Sequence, residues 1–195
     1  ISTGMATAAE LDETVRAARE AGCRDIILLK CTSTYPASPE NTNLLTIPHL
    51  KELFGCQVGL SDHTLGVGVA VAGVALGATV IEKHFTLSRK DGGVDAAFSM
   101  EPAEMAMLVT ETKKARQALG TIFYGPTKAE EGSLKHRRSL YFAADLKAGS
   151  VIAPEHIRAI RPGLGLPPKY YEVVIGKRVR RDISKGTPVR WELIG

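Results

Sequence analysis

Short apolar runs alternate with helical patterns along residues 1–120, and this alternation constrains the fold more than any other feature. Ile26–Leu29 is apolar at every position, which is typical of a strand buried on both faces of a sheet. Further strands are predicted at Ile1–Thr3, Gln57–Leu60 and Thr79–Lys83. Strands that recur about every 22 to 31 residues, with helices between them, predict right-handed parallel units. Four such units would form half of a (β/α)8 barrel. The alternative is an open doubly wound sheet, although no GxGxxG loop follows a strand.

Helical patterns fill the gaps between these strands. Thr7 and Glu10 have the spacing of a capping box, in which each side chain accepts a hydrogen bond from the other residue's backbone amide. Pro102 suits the first turn of a helix because that turn needs no amide hydrogen from it. The predicted helices run from Thr7 to Gly22, near Ile47–Phe54, over Gly66–Leu76 and from Pro102 to about Leu119. The predicted fold class is therefore α/β.

The last part of the chain contains an internal repeat, which predicts a second, β-rich domain. Asp145–Ile157 aligns with Asp182–Ile194, with Asp, Gly, Glu and the final Ile at equivalent positions. Each copy is predicted to form a strand, a glycine turn, a second strand and a short helix, so the domain should have pseudo-twofold symmetry. The loop at 161–168, between the copies, is rich in Gly and Pro and more often marks a functional surface than a core. The predicted domains are residues 1–120 and 138–195, joined by a linker at 121–137.

Charge is divided unevenly between the two parts of the chain. Residues 1–132 carry 12 Lys and Arg against 16 Asp and Glu, whereas residues 133–195 carry 13 against 5. The resulting net charges of −4 and +8 predict that the basic part faces something anionic. Nucleic acid, a phosphorylated metabolite and an acidic neighbouring domain all fit this requirement.

Composition sets further limits. The 3 cysteines are an odd number without close spacing, which argues against a disulfide framework or a zinc knuckle and predicts a cytoplasmic location. No segment has the pattern of a membrane span or a signal peptide, so no membrane partner is expected. Because the chain begins at Ile1, inside a predicted strand and without Met, we expect an N-terminal portion of the natural protein to be missing.

Polar side chains follow each predicted strand, where the active site of a barrel lies. His63 and His84 follow two neighbouring strands, and two neutral imidazoles can share one divalent metal. The alternative is one catalytic and one structural histidine. Hydroxyls at strand ends either bind phosphate near helix N-termini or only cap those helices; they belong to Ser2, Thr3, Ser33 and Ser61. Four carboxylates could orient a metal ligand, act as a base or bind sugar: Asp62, Glu82, Asp91 and Asp95. The alternative is that each is a solvated loop group.

Five strings at these strand ends occur in an order that resembles the sialic acid synthase family: STGMAT, LLKCTSTYPA, VGLSDHT, ALGATVIEKHFTLSR and GGVDAAFSMEP. The repeat and the RPGLGL loop resemble the small antifreeze-like (SAF) domain of the same family. The resemblance covers the whole chain and implies the C-terminal half of a (β/α)8 TIM barrel followed by a SAF domain. It also implies a phosphoenolpyruvate-dependent transferase. Members of the family condense phosphoenolpyruvate with an N-acetylated amino sugar to give a nonulosonic acid and phosphate.

The resemblance assigns metal and phosphate contacts to four residues. His63 and His84 match the two metal ligands of the family, which usually hold Mn²⁺, with Mg²⁺ or Co²⁺ as alternatives. Ser2 and Ser61 match hydroxyls that hold the phosphate of phosphoenolpyruvate. Both assignments agree with the positions of these residues at predicted strand ends.

The resemblance also assigns sugar contacts to three residues. Tyr35 and Asp95 match residues that contact the amino sugar. Arg161 matches an arginine that one subunit inserts into the barrel of its partner, near the N-acetyl group. A domain-swapped homodimer is therefore expected, in which the basic domain covers an acidic barrel and no nucleic acid is bound.

Ser33 bears on the choice of sugar. The sialic acid branch has Asn at this position, and Ser33 together with the KHFTLSRKDGGVDAAFS stretch is more similar to the branch that makes pseudaminic acid. The sugar of that branch is a 2,4-diacetamido-2,4,6-trideoxy hexose. The alternatives are synthesis of N-acetylneuraminate or legionaminate, or a non-catalytic module that binds a glycan or nucleic acid. The first half of the family's barrel has no counterpart here, so this chain alone is expected to be a poor catalyst.

Overall fold

The computed structural model describes all residues from 1 to 195 and divides them into two compact units, Ile1–Thr121 and Ile122–Gly195. Unit 1 is α/β, as predicted. No helix in the structure is both long enough and apolar enough to cross a membrane. In chain order the regular elements of unit 1 are α1 (Ala8–Glu20), β1 (Ile27–Cys31), α2 (Thr46–Phe54), β2 (Gln57–Ser61), α3 (Gly68–Ala75), β3 (Val80–Glu82) and α4 (Pro102–Leu119).

The three strands of unit 1 form a parallel sheet in the order β1–β2–β3. The first residues of the chain extend it, because Ser2 bridges Leu29 in the parallel sense. Two backbone hydrogen bonds hold this bridge, from Thr3 N to Leu29 O at 2.9 Å and from Leu29 N to Ile1 O at 2.8 Å. The prediction of four parallel segments is confirmed, and β1 runs further than predicted, to Cys31.

Strand register decides which side chains share a face, because successive side chains of a strand point to opposite faces. Cys31 lies opposite Ser61, and Ser61 lies opposite Glu82, so the three form a row at the carboxyl ends of the strands. Ser2 is beside Leu29, two positions before Cys31, and therefore lies on the same face. We call the face that carries these residues the inner face.

The opposite face of the sheet packs against α1 and α2. The capping box predicted at the start of α1 is present: Glu10 N donates to Thr7 Oγ1 at 3.3 Å and Thr7 N donates to Glu10 Oε2 at 2.7 Å. Each apolar side chain buried in this layer contributes about 1.5–3 kcal/mol relative to leaving it exposed. The buried side chains here include Leu11 and Val15 of α1, Leu28, Val58 and Leu60 of the sheet, and Ile47, Leu50 and Phe54 of α2.

Unit 2 is built around an antiparallel strand pair. Its elements are β4 (Ser139–Phe142), β5 (Ile157–Ile160) and the short helix α5 (Tyr171–Val174). Two 3-10 turns, Pro154–His156 and Trp191–Leu193, occupy equivalent positions in the two copies of the repeat. The segment predicted as a linker includes a further 3-10 stretch, Lys128–His136.

Hydrogen bonds between the two copies of the repeat are reciprocal. Leu146 N donates to Ile183 O at 2.9 Å, and Ile183 N donates to Leu146 O at 2.8 Å. The two residues are equivalent in the alignment of the copies. The predicted pseudo-twofold symmetry is therefore confirmed.

The extended segments of the first copy pair with residues outside that copy. The two extended segments of a copy do not form a hairpin with each other; Leu146 and Val151 form single bridges to Ile183 and Arg178 instead. Gly149, in the glycine turn of the first copy, also bonds outside that copy: its backbone N donates to Val179 O at 2.7 Å.

Two equivalent aspartates close the turns of the opposite copies. Asp145 Oδ1 accepts from Lys185 N at 2.7 Å, and Asp182 Oδ1 accepts from Ala148 N at 2.9 Å. Only Asp182 also accepts from an ammonium group, that of Lys147 at 2.7 Å. The Lys147 side chain, together with the Ala148 amide, holds the pKa of Asp182 below its ordinary value of 3.8.

A carboxyl group whose pKa is lowered by folding stabilises the native state above its unfolded-state pKa, and that contribution is lost as pH falls through the folded-state pKa. We therefore expect Asp182→Asn to lower the unfolding temperature of unit 2 at pH 7. The difference from wild type should disappear in strong acid. Fluorescence of Trp191, the single tryptophan, reports on this unit. Asp145→Asn, which removes no ammonium partner, is the matched control, and a deficit that persists in strong acid would contradict the prediction.

Candidate active site

The two candidate histidines lie side by side at the carboxyl ends of β2 and β3. Ser61 and Glu82 are opposite each other in the register, and His63 and His84 each follow by two residues. Their ring centroids are 5.2 Å apart, with the planes inclined at 67°. The parallel sheet therefore brings together two histidines that are distant in sequence.

A backbone carbonyl orients the ring of His63. Its Nδ1 lies 2.9 Å from Thr32 O, and because a carbonyl only accepts hydrogen bonds, Nδ1 must carry the proton. The neutral ring then has its free lone pair on Nε2. Lys30 Nζ steadies the same loop by donating to Thr32 Oγ1 at 3.2 Å and to Cys31 O at 2.7 Å. Burial lowers the pKa of Lys30.

A carboxylate faces the ring of His84 at a longer distance. His84 Nδ1 lies 3.5 Å from Asp95 Oδ2, and both side chains are partly exposed. This arrangement favours the proton on Nδ1 and leaves Nε2 of His84 as the free donor atom. A carbonyl or carboxylate behind the non-ligating nitrogen is the usual setting of a metal-binding histidine. The donor chemistry of the pair therefore fits a shared divalent cation.

The pair supplies two donor atoms and no more from its own surroundings. The structure contains no group of three or more His, Cys, Asp or Glu side chains arranged to hold a metal ion. A cation held by His63 and His84 would complete its coordination with oxygen atoms from water or substrate. Such a shell suits the cations that prefer oxygen ligands, among them Mn²⁺ and Mg²⁺.

The candidate phosphate-binding serines share the inner face. Ser61 is buried, and its Oγ donates to Glu82 Oε1 at 2.7 Å. Ser2 is exposed on the same face. Ser33 is half-buried, with its Oγ 3.6 Å from Cys31 Sγ. Three of the predicted hydroxyl residues therefore lie around one end of one sheet face.

Tyr35 packs on the histidine pair together with a residue that the sequence did not single out. The Tyr35 ring centroid lies 4.4 Å from that of His63 and 5.7 Å from that of His84. Phe98 completes the cluster, with its centroid 5.1 Å from His84 and 5.8 Å from Tyr35. Asp95 is close by in the same loop. No periodic pattern marks Phe98, because it is the last residue of a short 3-10 turn, Ala96–Phe98, in a long loop.

A buried ion pair connects the two strand ends and was also missed. Lys83 Nζ lies 2.9 Å from Asp62 Oδ2, and the two side chains are 2% and 0% exposed. Lys83 also donates to the carbonyls of Thr64 and Gly66 at 2.7 and 3.0 Å, while Asp62 Oδ1 accepts from Thr64 N and Oγ1 at 2.9 and 2.8 Å. The pair joins the residue before His63 to the residue before His84. The sequence feature that could have indicated this pair is a charged residue directly before each histidine, Asp62 before His63 and Lys83 before His84, at neighbouring strand ends.

Arg89 anchors the loop that carries Asp95 and Phe98. Its Nε donates to Ser99 O at 3.0 Å, its backbone N donates to Glu101 Oε1 at 2.9 Å, and its guanidinium contacts the Glu104 carboxylate. The Glu101 amide, together with the Arg89 side chain, holds the pKa of Glu104 below its ordinary range. The loop is therefore fixed against the start of α4.

Arg161 belongs to unit 2, whereas the seven other predicted site residues all belong to unit 1. Its side chain is exposed and belongs to no ion pair in the structure. The loop after it is rigidly held, because Ser139 Oγ donates to Pro162 O at 2.8 Å and accepts from Gly165 N at 2.9 Å. A Cβ on Gly165 would lie 2.4 Å from Leu140 O, so glycine is required there.

Comparison with known proteins finds matches to both units. The model of the NeuB family matches residues 1–124, and that of the SAF domain matches residues 137–194. Pseudaminic acid synthase of Campylobacter jejuni subsp. jejuni serotype O:23/36 is 41% identical over 193 residues, covering 97% of this chain and 55% of the relative. N,N'-diacetyllegionaminic acid synthase of C. jejuni serotype O:2 is 36% identical over 193 residues, covering 97% and 58%.

A solved structure is also similar. The crystal structure of N-acetylneuraminic acid (sialic acid) synthetase from Leptospira borgpetersenii serovar Hardjo-bovis, in complex with citrate, matches with a TM-score of 0.62 and 38% identity. The match covers 70% of this chain and 47% of that one. This chain spans about half the length of the curated relatives it matches.

Removing one member of a buried ion pair leaves the other charge without its partner in a dry site. We therefore expect Lys83→Met to lower the free energy of unfolding of unit 1 by about 3–5 kcal/mol. Chemical denaturation followed by far-ultraviolet circular dichroism measures this change. Lys90→Met, at an exposed position in the same loop, is the matched control. Equal stability of the two variants would show that the ion pair does not hold the strand ends.

Proposed function

The chain belongs to the NeuB family, and on that premise we propose that unit 1 carries the histidine pair of a nonulosonic acid synthase. The reaction condenses phosphoenolpyruvate with an N-acetylated amino sugar and releases phosphate. The observation that carries the proposal is the pairing of His63 and His84 with both Nε2 atoms free, next to serines on the inner face. The relatives described above are synthases of this class.

We propose that unit 1 is the second half of a (β/α)8 barrel. Both edges of its sheet support this proposal, because β3 pairs only with β2 and the N-terminal segment pairs only with β1. A groove of about 600 Å³ beside β3, between α3 and α4, is lined mainly by apolar residues. An open parallel sheet edge next to an apolar groove is what a further strand and helix would cover.

The bond changes define what the site residues must do. Carbon 3 of phosphoenolpyruvate attacks the aldehyde carbon of the open-chain sugar, and water then adds to carbon 2. The tetrahedral intermediate releases phosphate by cleavage of the bond between carbon 2 and oxygen. Ser2 and Ser61 are proposed to donate hydrogen bonds to the phosphate, and Ser61 would do so by turning its one hydroxyl hydrogen away from Glu82 Oε1. Tyr35 and Asp95 are proposed to hold the sugar in line with the attacking carbon. Positioning of this kind supplies much of the rate in a two-substrate reaction.

A divalent metal is proposed at Nε2 of His63 and Nε2 of His84, with Mn²⁺ as the expected ion and Mg²⁺ or Co²⁺ as alternatives. When bound, the metal acts as a Lewis acid on the sugar aldehyde. The protein holds the two lone pairs in place through Thr32 O behind His63 and the Asp95 carboxylate behind His84. The Thr32 contact keeps His63 in the tautomer that leaves Nε2 unprotonated, and the nearby Asp95 carboxylate favours the same tautomer of His84.

We propose the 2,4-diacetamido-2,4,6-trideoxy hexose of the pseudaminic acid branch as the sugar. Support comes from Ser33 and from the loop sequence between His84 and Met100. The direct test is to assay the natural full-length protein for phosphate release with this sugar and with N-acetylmannosamine. Faster turnover of N-acetylmannosamine would move the assignment to the sialic acid branch.

Loss of either histidine should remove the metal site. We expect His63→Ala or His84→Ala to lower the condensation rate at least about a hundredfold, because Lewis-acid stabilisation is worth several kcal/mol. Titration with Mn²⁺, followed by electron paramagnetic resonance, should show the loss of one bound ion in either variant. His49→Ala is the control, since His49 is exposed and lies outside the site. Metal binding and activity that survive both substitutions would refute the assignment.

We propose further that Arg161 acts in the barrel of a partner subunit. Its support is an exposed guanidinium on a rigid loop in the basic part of the chain. Losing a hydrogen bond from a charged group costs about 1.5–3 kcal/mol, so Arg161→Ala should lower kcat/KM for the sugar roughly 10- to 150-fold.

Mixing subunits tests this arrangement. A mixture of Arg161→Ala and His63→Ala subunits should recover activity, because one barrel of each swapped heterodimer has both histidines and receives an intact Arg161. A mixture of His63→Ala and His84→Ala subunits is the control, since every barrel in it lacks one histidine. If subunits exchange and the first mixture stays as inactive as the control, Arg161 does not act in the partner.

A further inference from the structure

A pocket on unit 2 brings together three basic side chains for which the proposed reaction gives no role. Its volume is about 720 Å³, and Arg137, Arg138 and Lys169 all line it. No Asp or Glu is among the lining residues. Arg161 does not line it either, so the pocket is separate from the contact proposed above for that residue. We call it the basic pocket.

The three cations of the basic pocket have no carboxylate partner. Arg137, Arg138 and Lys169 are exposed and belong to no ion pair in the structure. Arg137 also borders a neighbouring groove that contains Glu130. The Glu130 carboxylate instead accepts from Thr127 N at 2.9 Å and from Thr127 Oγ1 at 2.7 Å. Like charges that converge on one concave surface repel each other, and a bound anion removes that repulsion.

Backbone contacts fix the shape of the basic pocket. Gly163 N donates to Lys135 O at 3.0 Å, and Arg137 N donates to Leu134 O at 3.0 Å. The loop at Gly163 lies so close to the segment before β4 that a Cβ on this glycine would be 3.0 Å from Leu134 O and 3.3 Å from Arg137 O. The segment that carries the arginines is therefore tied to the loop beside it, and the pocket exists before a ligand binds.

The chemistry of the lining favours a small phosphorylated molecule. A guanidinium presents its N–H donors in a planar fork that matches two oxygens of a phosphate, and the pocket holds two such forks and an ammonium group. Carbon surface from Leu134, Pro167 and Pro168 lines another part, and a pocket of this volume suits a small organic ligand. No aromatic ring lines the pocket, whereas a single-stranded nucleic acid needs rings on which its bases stack.

We propose that the basic pocket binds a phosphate monoester. Arg137, Arg138 and Lys169 hold the phosphate group, and the organic part of the ligand lies against Leu134 and the two prolines. Inorganic phosphate shares the first contact and lacks the second, so it should bind more weakly. The inference does not depend on the proposed function, because none of these residues belongs to the candidate active site.

The test titrates the natural full-length protein with phenyl phosphate, inorganic phosphate and phenol, followed by NMR. Phenyl phosphate should bind about threefold or more tightly than inorganic phosphate, because its ring leaves water, and phenol should not bind. The double variant Arg137→Gln/Arg138→Gln should weaken the binding of phenyl phosphate at least about tenfold. Arg181→Gln/Lys185→Gln is the matched control, since it removes the same charge from exposed positions of unit 2 outside the pocket.

Ser61→Ala should leave this binding unchanged, which separates the basic pocket from the phosphate contacts proposed for the active site. Lys169→Gln should also weaken phenyl phosphate binding and provides a second variant if the double substitution folds poorly. Equal affinity of the arginine variant and its control would overturn the inference, as would binding that only Ser61→Ala abolishes. Binding of a single-stranded oligonucleotide without binding of phenyl phosphate would assign the pocket to nucleic acid instead.

Discussion

The buried ion pair between Lys83 and Asp62 is the interaction on which the candidate site depends. Each partner immediately precedes a site histidine, so the pair fixes the relative positions of His63 and His84 at two strand ends that share only three register pairs. A buried charge pair contributes little net stability compared with apolar side chains of equal size. The pair instead fixes geometry, because the buried Lys83 ammonium group needs all three of its hydrogen-bond acceptors and no other arrangement supplies them at low cost.

Much of the fold follows from patterns that are local in sequence. Apolar runs at regular spacing predicted the parallel strands, and the capping pair at Thr7 and Glu10 predicted where α1 begins. The histidine pair was predictable because parallel strands place their carboxyl ends at one edge. The internal repeat also predicted the symmetry of unit 2, since equivalent residues in a duplicated sequence can satisfy each other's hydrogen bonds.

The remaining features depend on contacts between residues far apart in the chain. The partner of Lys83 is 21 positions away, and both partners are typical of solvated strand ends when considered singly. Phe98 lies in a loop without periodicity, so nothing local distinguishes it from its exposed neighbour Val94. The amide of Gly149 donates to Val179 O, 30 positions along the chain, and no local pattern marks that partner. Burial and pairing across the chain decide these cases, and neither is visible in a local pattern.

The exchange of hydrogen bonds between Leu146 and Ile183 has a consequence for how unit 2 folds. Because each copy completes the backbone ladder of the other, neither copy has a stable structure to form first, and the apolar side chains of both enter one core. Unit 2 should therefore fold in a single all-or-none step whose nucleus needs both halves. The same interlocking means that two fragments made by cutting unit 2 between the copies would carry complementary edges for reassembly.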